Sequence, residues 1–262
     1  MATDEQATGR ALRRLAAALA MVAVLAGCAQ QQREQLAAAD GEEEELILPY
    51  DEPNDPLEPV NRVIFDVNLF LDELLIRPMG EIYRFFVPPE ARDVIRNVLR
   101  NLSTPVILAN DLLQGEMGRA GDTVARFLVN STIGVGGTMD LAEDQGYPYH
   151  DEDFGQTLAV YGVGEGFYLV LPILGPSTLR DTGGMLADSY MDPLRYVLSD
   201  EEMWARRITE GVDLRARNIE TLEELRRGSI DFYARVRNVY RQRRDNEIRN
   251  GGETGLPSPG LL

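Results

Sequence analysis

Residues 60–78, VNRVIFDVNLFLDELLIRP, repeat apolar side chains at a helical period, and no other feature limits the fold so narrowly. Val63, Ile64, Val67, Phe70, Leu71, Leu74 and Leu75 recur at i, i+3, i+4, the spacing that lines up side chains along one side of an α-helix. Asn61, Arg62, Asp66 and Asp72 fall elsewhere around the wheel, while Phe65, Leu69 and Ile76 widen the stripe. Pro78 is expected to end or kink this helix. The rhythm returns in EARDVIRNVLRNLS, with Val94, Ile95, Val98, Leu99 and Leu102 on one face and Arg92, Arg96 and Arg100 on another. A separate helix is expected from STPVILANDLLQG, with Ser103 or Thr104 as N-cap, Pro105 in its first turn and Gly115 as its stop. Another is expected from Asp122 to Gly134. The last long segment, residues 200–249, carries Trp204, Ile208, Val212, Ile219, Leu222, Leu225, Ile230, Tyr233, Val236 and Tyr240 at roughly helical spacing. The chain therefore reads as an all-α bundle of amphipathic helices. Each stripe has two possible destinations, a protein core or the acyl chains of a bilayer interface, and periodicity does not choose between them.

The N-terminus bears on that choice. Arg10, Arg13 and Arg14 precede the apolar run LAAALAMVAVL, residues 15–25, which has the length of a signal-peptide core and is too short to span a bilayer. LAGC comes next, and Cys28 is the only cysteine of the chain. This resembles a bacterial lipobox, which implies cleavage before Cys28 and acylation of its side chain and new N-terminus. Acyl chains turn a soluble protein into an anchored one, at about 0.8 kcal/mol per buried methylene. Ala29 stands where, by the same resemblance, Asp would favour inner-membrane retention, so the periplasmic face of the outer membrane is expected. No later run approaches the roughly 20 apolar residues of a membrane-spanning helix.

Four segments are expected: a signal peptide over 1–27, a lipidated N-terminus and disordered acidic tether over 28–54, one helical domain over 55–249, and a frayed tail over 250–262. Residues 33–58 hold ten acids against one Arg, and the whole chain has a formal net charge of −17. So acidic a chain is a poor partner for nucleic acid and is repelled by anionic headgroups, so membrane contact must rest on acyl chains and apolar surface.

The side-chain inventory removes many chemistries. All 26 basic residues are Arg, so Walker, Schiff-base and Ser–Lys mechanisms lack their lysine. His150 is the only histidine, and with Cys28 spent on lipid no zinc ligand set remains. There is no G-x-S-x-G elbow. A hydrolase would have to use His150, with Ser177 and Ser189 as the nearest downstream serines; a loop histidine with a structural hydrogen bond is the simpler reading. No catalytic residue, metal or cofactor is assigned. The basic end of the chain, Arg226 to Arg249, either docks on a partner or folds back on the acidic body.

YGVGEGFYLVLPILGP, residues 161–176, places Gly162, Gly164 and Gly166 at alternate positions before an apolar run. G-x-G-x-G lacks the G-x-G-x-x-G spacing of a dinucleotide loop, and the run YLVLPILGP beyond it is a poor helix start. Alternate glycines strip one side of an extended segment of side chains, for close packing or for mobility.

Five stretches taken together resemble one family. They are DPLEPVNRVIFDVN (55–68), RPMGEIYRFFVPPEARDVIRNVLRNLSTPVILANDLLQG (77–115), RFLVNSTIGVGGTMDLA (126–142), DFGQTLAVYGVGEGFYLVLPILGPSTLRDTGG (153–184) and ADSYMDP (187–193). In this order they resemble the MlaA/VacJ outer-membrane lipoproteins; the helix after Ser199 matches in character only. The resemblance implies a ring-like helical domain in the inner leaflet of the outer membrane. It also implies an amphipathic channel through which mislocalised outer-leaflet phospholipid reaches a soluble periplasmic MlaC-like carrier, and association with a trimeric porin. Gly162, Gly164, Gly166, Phe167, Tyr168, Leu169, Leu171 and Pro172 would then form a flexible hairpin beside the channel, with Val170 adding to its apolar surface. The alternative is an anchored scaffold that holds porins or other envelope proteins without passing lipid.

Overall fold

The computed structural model describes residues 54–250; the proposed signal peptide, Cys28, the tether and the tail from 251 lie outside the described residues. Helix α1 (Glu58–Leu71) runs through a π-helical turn (Asp72–Ile76) into α2 (Arg77–Phe86). Helices α3 (Pro89–Gln114), α4 (Met117–Thr132), α5 (Leu141–Asp144) and α6 (Phe154–Val160) come next. Strands β1 (Tyr168–Leu171) and β2 (Gly175–Thr178) then form an antiparallel hairpin, with Tyr168 opposite Thr178 and Leu171 opposite Gly175. Helix α7 (Leu179–Met191), a 3₁₀ turn (Pro193–Tyr196), α8 (Asp200–Arg217), α9 (Ile219–Arg227) and α10 (Phe232–Ile248) complete the chain. Neighbour packing closes a circuit: α1 continues into α2, α2 packs on α8, α8 on α3, α3 on α6, α6 on α10, α10 on β2, and β1 returns to α1.

Three helix boundaries differ from the sequence expectation, each for a local reason. Pro78 neither ends nor breaks the helix. The Arg77 N–H reaches back to the Asp72 carbonyl, five residues away, and this widened turn accommodates a ring that would otherwise crowd the carbonyl four residues earlier. Pro105 lies inside the single helix α3 rather than opening a new one. The Ser103 and Thr104 hydroxyls do not cap; they bond back to the Leu99 and Arg100 carbonyls, at 3.1 and 3.4 Å, so the chain stays helical through the proline. Helix α4 begins at Met117, before Asp122. Gly115 does stop α3, in the left-handed conformation (φ 76°). The segment 200–249 is three helices, divided at Asn218 and at the Gly228–Asp231 turn.

The apolar core is small. Phe65 of α1, Tyr168 and Val170 of β1, Leu222 of α9, and Tyr233 and Val236 of α10 form one cluster. Phe65 and Tyr168 each meet the Tyr233 ring edge-on, at 5.5 and 6.2 Å between centroids. Asn61 supports this cluster from the same helix face as Phe65. Its amide donates to the Tyr168 carbonyl (3.0 Å) and to Asp55 (2.8 Å), and its carbonyl oxygen accepts from the Val170 N–H (3.0 Å). Replacing Asn61 by Ala leaves two buried backbone groups of β1 unpaired, each costing about 1–3 kcal/mol. We expect N61A to lower the midpoint of urea unfolding by an amount equivalent to about 2–4 kcal/mol; a shift within error of wild type would show that the hairpin does not depend on this amide.

Candidate functional site

Helix α1 carries its polarity the wrong way round for a protein in water. Asn61, Phe65, Asn68 and Asp72 recur at i, i+4, i+7 and i+11 and are all buried, so three of the four inward positions are polar. Val60, Val63, Val67, Phe70 and Leu74 occupy the opposite side and are exposed, Phe70 by 63%. The stripe continues through Leu75 of the π-turn and on along α2 through Met79, Ile82, Phe85 and Phe86, the last two exposed by 82% and 74%. Further exposed apolar residues lie on α4 (Met117, Val124, Phe127, Leu128), in the loop after it (Ile133, Val135, Met139) and on α7 (Met185, Leu186).

The interior has the opposite character. Among the described residues, 22 buried side chains are polar or charged and 13 are apolar, the reverse of a water-soluble core. Many of these groups bond one another. Asn110, with no exposed surface, donates to Asp188 (3.0 Å) and accepts from Thr157 (2.8 Å); Gln114 donates to Glu152 (2.7 Å). Arg215 grips Asp72 through two bonds of 2.7 and 2.8 Å, tying α8 to the π-turn. Arg206 holds Asp192, and Arg126 holds Asp140. A belt of apolar side chains around paired polar ones suits a surrounding medium of acyl chains.

The Arg-rich end folds back on the acidic body. Arg237 of α10 bonds Asp55 (2.8 Å) and Glu58 (3.3 Å), Arg241 bonds Glu165 (2.5 Å), and Arg244 bonds both oxygens of Asp153 and one of Asp181. Tyr240 adds a bond to Asp181 (2.6 Å). Helix α10 is thus fastened to the segments on either side of the glycine-rich stretch.

The hairpin residues occupy unlike places. Gly162 closes α6, its N–H bonding the Ala159 carbonyl. Gly166 has φ +70°, and an added Cβ would come within 2.9 Å of the Leu179 Cβ, so this position requires glycine. Gly164 has neither constraint; nothing lies within 4 Å of where its Cβ would stand. Tyr168 and Val170 turn into the core and do not contribute outer surface, because side chains alternate along β1. Phe167, Leu169 and Leu171 are half-buried, and Pro172, Ile173 and Leu174 form an exposed apolar tip. Asn68 holds that tip: its amide donates to the Leu171 carbonyl (2.9 Å) and its oxygen accepts from the Ile173 N–H (2.9 Å). Asn61 and Asn68 as hairpin anchors were missed in the sequence. Their seven-residue spacing, opposite the apolar stripe, was the available signal.

His150 sits in a loop with a structural bond to Asp111 (3.0 Å) and a contact to Thr123 (3.2 Å). Both use the same ring nitrogen, Nε2, whereas a proton relay needs hydroxyl and carboxylate on opposite nitrogens. Neither Ser177 nor Ser189 bonds it: Ser177 is fully buried against Thr182, and Ser189 bonds the Leu186 carbonyl. Among the described residues no cluster of His, Cys, Asp and Glu could hold a metal ion, and no helix is long and apolar enough to cross a membrane.

Fold and polarity together define a helical protein with an exposed apolar stripe and a paired polar interior. The chain belongs to the MlaA family: the family profile described as "MlaA lipoprotein" matches residues 53–247, including the helices after Ser199. It is 36% identical over 204 residues to the "Intermembrane phospholipid transport system lipoprotein MlaA" of Escherichia coli (strain K12), covering 76% of this chain and 80% of that one. The protein of the same description from Haemophilus influenzae is 31% identical over 204 residues, covering 76% and 81%. A solved structure described as "Structural basis for maintenance of bacterial outer membrane lipid asymmetry" superposes with a TM-score of 0.68 at 36% identity, covering 74% of this chain and 98% of that one.

The interior also sets a pH response. Burial raises the Glu152 carboxyl to about 7 against the opposing pull of Gln114 and Arg119, and burial raises Asp188 to about 6. A carboxyl raised on folding holds its proton more tightly in the folded state, so its contribution to stability is complete below the unfolded value and is lost as pH rises through the folded one. Burial works against ionisation at Asp181 as well, but Arg244, Tyr240 and Arg180 overcome it and hold this carboxyl at about 2, so its contribution is lost only in strong acid. We expect unfolding measured against pH to show stability falling between about pH 4 and pH 7, and E152Q to flatten that fall. A wild-type profile that rises over this range would contradict it.

Proposed function

We propose that this chain is an outer-membrane lipoprotein of intermembrane phospholipid transport, anchored through Cys28 with its helical domain set into the inner leaflet. It takes mislocalised phospholipid from the outer leaflet through an amphipathic passage and delivers it to a soluble periplasmic MlaC-like carrier, in association with a trimeric porin. The step is transfer without bond chemistry, so no catalytic residue or cofactor is assigned. The observation that carries the reading is the apolar exterior of α1 and α2 around a polar interior.

Length supports an in-plane placement. From residue 58 to 86 the continuous helix has 29 residues, or roughly 43 Å at 1.5 Å per residue. Its exposed apolar stripe extends over that whole length. A helix standing upright in one leaflet, roughly 15 Å deep, would push most of the stripe into water. Lying flat, each large apolar side chain, already partly covered in the fold, gains about 1 kcal/mol on leaving water, and ten of them together outweigh the charge repulsion of an acidic body.

Deleting the gene is expected to let phospholipid accumulate in the outer leaflet and to sensitise cells to detergent; unchanged lipid asymmetry would favour an anchored scaffold. In the complementing gene, V67S/F70S on the outer stripe should fail to restore asymmetry while the purified variant keeps its helical circular dichroism. G164L should also impair transport without loss of stability, because that position has open space around it. Full restoration by G164L would leave its glycine without a transport role.

A further inference from the structure

Residues 127–139 and 166–179 carry no charged side chain, although 26% of the chain is charged. They are the two longest such stretches among the described residues. The first ends α4 and runs into the loop after it; the second holds the β-hairpin. The charges that bracket them are paired at the base: Arg126 with Asp140, Glu165 with Arg241, and Arg180 with Asp181. Burial explains part of the second stretch, since Tyr168, Val170 and residues 175–178 are covered. It does not explain the tip at 172–174, nor Phe127, Leu128, Ile133, Val135 and Met139, which are all exposed.

Backbone strain falls on the same two places. Among the described residues three other than glycine have positive φ: Val135 (52°), Ile173 (67°) and Asn250 (54°). Asparagine visits the left-handed region readily, whereas a β-branched side chain there is an outlier that costs free energy. Gly136 and Gly137, the next two residues, adopt positive φ without that cost. Packing within the fold does not hold the two β-branched side chains in place, because Val135 is 66% exposed and Ile173 55%. In a turn facing water, glycine or asparagine would serve better at both positions. A strained residue persists where something else requires its side chain.

We propose that the loop at 133–139 and the tip at 172–174 enter the acyl-chain region of the leaflet, and that Val135 and Ile173 occupy strained positions because their side chains contact lipid. The inference rests on the membrane placement of the transport reading and adds two segments to the α1–α2 stripe. In hydrocarbon the polar groups of a loop must be met inside the protein, and those recorded here are. The Gly136, Gly137 and Met139 N–H groups reach the Ser131, Asn130 and Gly134 carbonyls, and the Thr132 and Thr138 hydroxyls donate to the Leu128 (2.5 Å) and Gly134 (3.0 Å) carbonyls. At the hairpin, the Ile173 N–H donates to Asn68 and the Leu174 N–H to the Pro172 carbonyl. A protein partner would bring a polar rim that needs donors and acceptors at its edge; acyl chains ask for none.

The first test places a nitrobenzoxadiazole label on I133C, L174C and, as reference on the α1 stripe, F70C. The full lipidated protein, whose only native cysteine carries the lipid, is bound to phosphatidylcholine vesicles, which do not repel an acidic chain. We expect all three labels to be quenched by a nitroxide on the lipid acyl chain and shielded from iodide in the water. Iodide quenching at 133 and 174 with 70 shielded overturns the inference and leaves the membrane placement standing. Iodide quenching at all three overturns both. Shielding at 133 and 174 without nitroxide quenching assigns the tips to a second copy of the chain and overturns the lipid contact.

The second test measures strain and lipid contact in one cycle. Urea unfolding of C28A, which has no acyl anchor, is compared with C28A/V135G/I173G, without vesicles and with them; vesicle contacts common to both chains cancel in the difference. Without vesicles the glycine variant should have the higher midpoint, because strain is relieved. With vesicles its lead should narrow or reverse, because lipid that binds only the folded chain stabilises the one with more lipid contact. A lower midpoint for the glycine variant without vesicles shows that the side chains hold the fold and overturns the strain argument. An unchanged lead in vesicles shows that the two side chains do not meet lipid.

Discussion

One carboxamide on the inner face of α1 decides how the rest of the molecule is arranged. A helix that turns its apolar side outward must offer its polar side something to bond, because an unpaired polar group in the interior costs more than most apolar contacts return. Asn61 meets this demand by serving as donor and acceptor for the edge of β1 at Tyr168 and Val170. Asn68 repeats the arrangement at the hairpin tip. With α1 bonded through polar groups, Val63, Val67 and Phe70 are free to face outward. The hairpin in turn has its backbone satisfied on that side without a third strand. The two elements account for each other: an all-apolar α1 would leave β1 unpaired, and without β1 the two asparagines would be buried for nothing.

The buried arginines suit the same interior. A buried carboxylate needs its charge and several lone pairs satisfied together, and a planar guanidinium does this with two parallel bonds where an ammonium offers a point charge. Arg215 on Asp72 and Arg244 on Asp153 use that fork. Such pairs add little net stability compared with an apolar core, but breaking one strands a charge. Their value here is positional. Because Arg237, Arg241 and Arg244 all reach elements that flank the hairpin, α10 closes the circuit of helices through specific contacts rather than through nonspecific burial. A domain whose outside is apolar cannot also rely on apolar burial to choose its topology, since every stripe could stick to every other. Polar pairing removes that ambiguity.

Much of this was legible in the sequence, and the rest was hidden for definite reasons. The helical period of residues 60–78 and the Gly115 stop could be read directly, because both depend on neighbours within one turn. The direction in which the stripe faced could not: amphipathicity is symmetric between a helix with its grease inside and one with its grease outside. The Asn61, Phe65, Asn68, Asp72 spacing breaks the symmetry, but only once polar residues are admitted as inward positions. Pro105 misled because Ser103 and Thr104 have two uses, as caps and as partners of the carbonyl four residues back, and the choice between them depends on whether the chain continues. The glycines were legible as a group but not individually. Gly166 is demanded by its backbone angle and by Leu179, Gly164 by nothing nearby, a difference set by the tertiary fold and not by local sequence.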